Sequence, residues 1–141
     1  WRDNELYGHI ELPEQIEGGN CSMPKSERTA TEEDLSKLKK SISQLNQEAP
    51  GMQSAFTGFL DACLAEGVGA LDCKTKELII LGIAIAKHCK PCTQLHVQNA
   101  LNVGLTRDEI IEAGYMGMLM GGGPAFTSMQ YLLEALDDLE Q

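Results

Sequence analysis

From Thr31 onward, apolar residues recur every three or four positions, a spacing that predicts helices. Thr31-Glu32-Glu33-Asp34 opens the first helix, with a threonine cap and acids in the first turn, where they complement the helix dipole. Leu35, Leu38, Ile42 and Leu45 follow as one apolar stripe, and Pro50-Gly51 interrupts it. A second helix is expected from about Met52 to Glu66, with Phe56, Phe59, Leu60 and Cys63 on one side, before Gly67-Val68-Gly69 breaks it. Asp72 or Thr75 caps a third helix. Its segment from Leu78 to Ala86 is apolar all round, as expected of a central, buried helix. The β-branched residues there would also suit a buried strand, but a length of about twelve residues with charged ends favours helix. The Cys89-Lys90-Pro91-Cys92 turn leads into a fourth helix, which runs to about Val103 and ends at Gly104. Thr106-Arg107-Asp108-Glu109 caps a fifth, rich in Met116, Met118 and Met120. Gly121-Gly122-Gly123-Pro124 turns into a sixth, whose Phe126, Met129, Leu132, Leu133, Leu136 and Leu139 are expected to face the core. Nothing alternates at period two over a useful length. The predicted class is an all-α domain of about six helices.

Residues 1–30 break this pattern. They hold few large apolar side chains, a Gly18-Gly19-Asn20 step and prolines at 13 and 24. They are expected to form an irregular acidic tail, ordered only against a partner or another subunit, ahead of a helical domain over residues 31–141. Charge sharpens the division. The net charge is −10, and residues 1–34 carry nine acids against three bases, whereas the rest carries twelve against eight. Such a balance argues against a nucleic-acid partner. The longest apolar run is too short to span a bilayer, and Trp1-Arg2-Asp3-Asn4 offers no apolar leader region. Five cysteines are an odd number, and Cys21, Cys63 and Cys73 show no disulfide-scaffold spacing. This pattern implies a reducing, cytoplasmic compartment and a single reactive pair.

That pair lies in Cys89-Lys90-Pro91-Cys92-Thr93-Gln94-Leu95-His96. Two thiols at CxxC spacing can close a small disulfide ring. His96 follows Cys92 by four residues, one turn along the same helical face, where it can take or hold a proton for that sulfur. The thiolate is the reactive form of cysteine, and a helix N-terminus or a nearby cation favours it. Pro91 fits the first turn of a helix, which places Cys92 there, and Lys90 adds a positive charge. A carboxylate could orient His96, and Glu77 is the one acid at the edge of the apolar run. Other uses remain open for these residue types. CxxC and His96 could be half of a zinc site, completed by Cys73, His88 or Glu77, although zinc sites usually use two separated ligand pairs. Cys63 and Cys73 fit core or helix-end positions. His88 fits a cap on the third helix, where a cation is favoured. The methionines at 116–120 suit the core or a subunit contact. No cofactor or metal is expected.

The spacing Glu, eleven residues, CxxC, three residues, His resembles that of the alkylhydroperoxidase D-like branch of the carboxymuconolactone decarboxylase superfamily. Glu77, Cys89, Cys92 and His96 match each position and gap, and Met120-Gly121-Gly122-Gly123-Pro124-Ala125 is similar to the glycine-rich turn of its short members. The resemblance covers roughly residues 35–141. It implies a small all-α fold, in which the glutamate helix packs on the CxxC helix, and assembly into trimers or hexamers. It also implies a thiol-dependent peroxidase. Glu77 acts through His96 on Cys92, Cys92 attacks a hydroperoxide and becomes a sulfenic acid, and Cys89 resolves it as a disulfide. An external dithiol, thioredoxin-like or lipoyl reductant then restores the pair. One departure stands out: related peroxidases carry a further histidine between the cysteines, where this chain has Lys90-Pro91. By thioredoxin-type logic the order of attack reverses, with Cys89 as the nucleophile. General disulfide exchange, a lactone-decarboxylase activity and a non-enzymatic role are the competing functions.

Overall fold

The computed structural model describes residues 28–140, so the expectations for residues 1–27, Cys21 among them, lie outside the described residues. The described part is all-α: α1 (Ala30–Glu48), α2 (Pro50–Leu64), α3 (Cys73–Ala86), α4 (Lys90–Asn102), α5 (Arg107–Gly121) and α6 (Gly123–Leu139). α3 is the central element and packs against α4, α5 and α6. Leu81 and Ile85 of α3, Val97 and Ala100 of α4, Ile110 of α5, and Leu132 and Leu136 of α6 form the core. α3 and α5 approach closely at two glycines. A methyl group on Gly117 would collide with the backbone of Gly82.

Several boundaries differ from the sequence expectation. The cap of α1 is Thr29, not Thr31. Thr29 and Glu32 exchange side-chain-to-backbone bonds as a capping box, which the S/T-x-x-E pattern favours at that position. Thr31 is a buried helical residue whose N–H donates to Asp138 Oδ2 at 2.9 Å, tying α1 to α6. Pro50-Gly51 does not separate the first two helices but begins the second. Pro50 occupies the first turn of α2, where its missing N–H costs nothing. The α3 cap is Asp72, which accepts from the Thr75 N–H.

Burial also corrects the expectation. α3 is not covered all round, because Ile79 and Ile83 are exposed. Its neighbours cover one side only. The other side, with Met116 and Met120 of α5, lines an apolar groove of about 490 Å³. On α6, Phe126 and Leu133 face outward, while Met129, Leu132 and Leu136 are buried. On α2, Met52, Phe56 and Phe59 are exposed, and this helix packs mainly against α1.

The connection between α3 and α4 is short and tightly bonded. The His88 N–H donates to the Ile85 carbonyl and the Cys89 N–H to the Ala84 carbonyl, a Schellman ending. Such an ending needs a left-handed residue, usually glycine. Here it is His88, at φ +55°. α4 ends in the same way, with Gly104 at φ +77° in the equivalent place.

Candidate active site

The left-handed turn at His88 delivers Cys89 directly to the N-cap of α4. Cys89 Sγ accepts from the Cys92 N–H at 3.3 Å, and its carbonyl accepts from the Thr93 N–H and hydroxyl. Cys92 is the third residue of α4, so the dipole of that helix bears on both sulfurs. The two cysteines are joined as a disulfide with their Cα atoms 5.3 Å apart. Both are partly accessible to solvent.

Glu77 lies on the α3 face packed toward α4 and is only 3% exposed. A buried carboxylate needs a partner, and Glu77 Oε2 meets His96 Nδ1 at 2.7 Å. A carboxylate can only accept, so Nδ1 carries a hydrogen, and in the neutral ring Nε2 is left as the acceptor. The His96 side chain is itself mostly buried, at 14% exposure. Two of the four residues singled out are thus bonded across α3 and α4, and the other two are bonded to each other at the start of α4. Chemically, an oriented imidazole one helical turn from a cysteine can act as its base or acid.

Among the described residues, the other sequence candidates make no side-chain bond to these four. Cys63 is exposed near the end of α2, and Cys73 is a half-buried free thiol at the first position of α3. His88 sits at the end of α3, as expected, and contributes a left-handed backbone and a bond to Ser128 there. Its Nδ1 lies 3.1 Å from the Ser128 hydroxyl. Among the described residues no cluster of three or more His, Cys, Asp or Glu is placed to hold a metal ion.

Sequence reasoning missed a second set of contacts. Lys90, inside the CxxC turn, bonds Asp34 of α1 at 2.8 Å and lies over the Tyr131 ring of α6 at 5.6 Å. Asp34 also accepts from Gln94 at 3.2 Å. Lys90 and Gln94, with a smaller contribution from Lys37, hold the Asp34 carboxyl down at about 2. Gln94, buried in α4, was a faint signal, since a buried amide must find a partner. Asp34 gave none, because it lies far from the motif in sequence.

Relatives agree with this architecture. The sequence profile of the Carboxymuconolactone decarboxylase family matches residues 50–136. An uncharacterized protein of Haemophilus influenzae is 35% identical over 109 residues, 77% of this chain and 92% of its own. An uncharacterized protein of Cupriavidus necator is 33% identical over 105 residues, 74% of this chain and 91% of its own. The crystal structure of a carboxymuconolactone decarboxylase family protein from Legionella pneumophila superposes with a TM-score of 0.68 at 34% identity, covering 78% of this chain and 94% of that one. A family protein from Thermotoga maritima, described with a suggested part in antioxidative response, gives a TM-score of 0.67 over 75% of this chain and 89% of that one. At 22% identity this last likeness is of fold alone. With the match extending over most of the helical part and both cysteines inside it, the chain belongs to the carboxymuconolactone decarboxylase family, as an alkylhydroperoxidase D-like member.

Proposed function

We propose that this protein is a thiol-dependent peroxidase that reduces hydroperoxides through Cys89 and Cys92. The observation that carries the reading is the Glu77–His96 bond, which fixes the tautomer of an imidazole one turn from Cys92. In the reduced protein, His96 Nε2 takes the Cys92 proton. The thiolate attacks the terminal peroxide oxygen, an S–O bond forms as the O–O bond breaks, and the alkoxide leaves as alcohol with the proton from His96. Cys89 then attacks the sulfenic sulfur. The S–S bond forms and water leaves. An external dithiol, thioredoxin-like or lipoyl, takes up the oxidation and returns two thiols. This cycle fits a reducing, cytoplasmic setting, and no helix among the described residues is long and apolar enough to cross a membrane.

Stopped-flow oxidation of the reduced protein by tert-butyl hydroperoxide tests the reading. Oxidation far faster than that of a free thiol, lost in Cys92→Ser, is expected. Intact mass should find a trapped sulfenate in Cys89→Ser and none in Cys92→Ser. A rate no greater than that of a free thiol would reject the proposal. A sulfenate confined to Cys92→Ser would reverse the order of attack.

General disulfide exchange is the second reading. It is favoured by the Cys92 N–H bonded to Cys89 Sγ, which stabilises charge on the first sulfur. Reduction of insulin without peroxide turnover would select it. A decarboxylase activity that survives loss of both cysteines would select neither.

A further inference from the structure

The Asp34 contact reaches the redox turn from α1, a helix that bears none of the four motif residues. The family match begins at residue 50, whereas Asp34 lies in the second turn of α1. Its carboxylate reaches two residues of α4 that are one turn apart, Lys90 at 2.8 Å and Gln94 at 3.2 Å. Gln94 is buried, so this bond has little competition from water. Lys90 is the only charged side chain between the two cysteines. α1 itself is anchored independently, by the Thr31–Asp138 bond to α6.

We infer that Asp34 is a positioning residue for the redox pair. It holds Lys90 on the α1 side of α4, balances its charge, and so sets how readily the Cys89–Cys92 disulfide is reduced. This inference concerns the same site as the proposed peroxidase and rests on that reading for its role in turnover. Its physical content, a shift in a thiol–disulfide equilibrium, can be measured whether or not peroxide is a substrate.

The sign follows from charge. Reduction replaces a neutral disulfide by thiols that ionise in part, so a local positive charge favours the reduced form and a local negative charge opposes it. With Asp34 and Lys90 paired, the two charges nearly cancel. Removing the carboxylate takes from Lys90, the residue that follows Cys89, its main partner and leaves it the weaker attraction of Glu134, so the local balance shifts toward positive. Removing the ammonium leaves Asp34 only Lys37, at 3.3 Å, so the local balance shifts toward negative. Other charged or titratable groups near the turn are Lys37 beside Asp34, Glu134 and Tyr131 of α6, Glu77 of α3, His96 of α4, and His88 in the connection. None of these changes between the variants below.

The test uses Asp34→Asn, Lys90→Gln and the double variant. Each is equilibrated in buffers of reduced and oxidised dithiothreitol, and the thiols are counted by alkylation and intact mass. In this exchange the Cys89–Cys92 bond breaks as the reagent closes its own ring, and two electrons and two protons move to the protein. Asp34→Asn should shift the equilibrium toward the protein dithiol by about threefold, the size expected of a partly solvated charge, or about 14 mV for a two-electron couple. It should also lower the pH at which cysteine alkylation is half-maximal. Lys90→Gln should shift both in the opposite direction, and the double variant should return close to the parent.

A purely structural contact would lower the melting temperature of the singles without opposite shifts in the two readouts. Shifts of the same sign in both singles, or none in either, would overturn the inference. Normal peroxide turnover alongside absent shifts would remove this inference alone. Opposite shifts in a protein inert to peroxide would sustain it and reject the peroxidase reading.

Discussion

Glu77 is the residue on which the proposed chemistry turns. It is almost fully buried and has His96 as its bonded partner, so its role can be separated from that of simple packing. Glu77→Gln keeps the shape but offers His96 a neutral partner whose amide can present either a donor or an acceptor. The orientation of the imidazole survives while the stabilisation of its charged form is lost. We expect a fall of about a hundredfold in the rate of oxidation by hydroperoxide, within the usual worth of a positioned proton relay. Far-ultraviolet circular dichroism should remain unchanged. Pre-steady-state oxidation rates measured across pH check the prediction, and an unchanged rate would assign Glu77 to packing alone. His88 carries a different constraint. Its left-handed backbone would suit glycine better, yet its ring is bonded to the buried Ser128 hydroxyl, so local strain and a side-chain bond are traded at the residue that precedes Cys89.

At the level of elements, the tightest constraint is the crossing of α3 and α5. Gly82 and Gly117 bring the two backbones into contact, and a Cβ on Gly117 has no room beside the Gly82 carbonyl. Gly117→Ala should therefore force the helices apart and destabilise the fold by about 1–3 kcal/mol, despite the better helix propensity of alanine. A lower urea midpoint with an unchanged slope would bear this out; an equal or higher midpoint would refute it. Neither glycine could be recognised from local pattern, since a glycine inside an apolar helix reads as a weakness rather than a contact. Other features were plain in the sequence. The Thr106 cap, the Gly104 ending and the placement of Cys92 in the first turn of α4 all follow from local chemistry, which is visible one residue at a time, whereas the α3 cap was narrowed only to Asp72 or Thr75. The Glu77–His96 contact was also foreseeable, through motif spacing. Asp34 was not, because its partners on α4 are neighbours only after folding. The outward positions of Ile79, Ile83, Phe126 and Leu133 escaped for a related reason: periodicity locates an apolar face but not what covers it.

For the molecule as a whole, those uncovered faces set an expectation about assembly. Phe59 is 63% exposed and Met120 85%, and with Ile79, Ile83, Phe56 and Met116 they leave more large apolar surface in water than an isolated domain usually tolerates. We expect a homo-oligomer, a trimer or hexamer by resemblance, that buries α2 and the α3–α5 groove. Sedimentation equilibrium should give a mass several times the 15.4 kDa of one chain. Phe59→Glu and Ile83→Glu should each reduce it, and a parent protein that sediments as a monomer would sink the idea. The short junction between α3 and α4 carries a last implication. It joins the helix that bears the carboxylate to the helix that bears the imidazole, and it also presents the first sulfur. Adding even one amino acid there would rotate one half of the relay away from the other, so natural variation in length among relatives should accumulate between α2 and α3 and spare the three residues after Ala86.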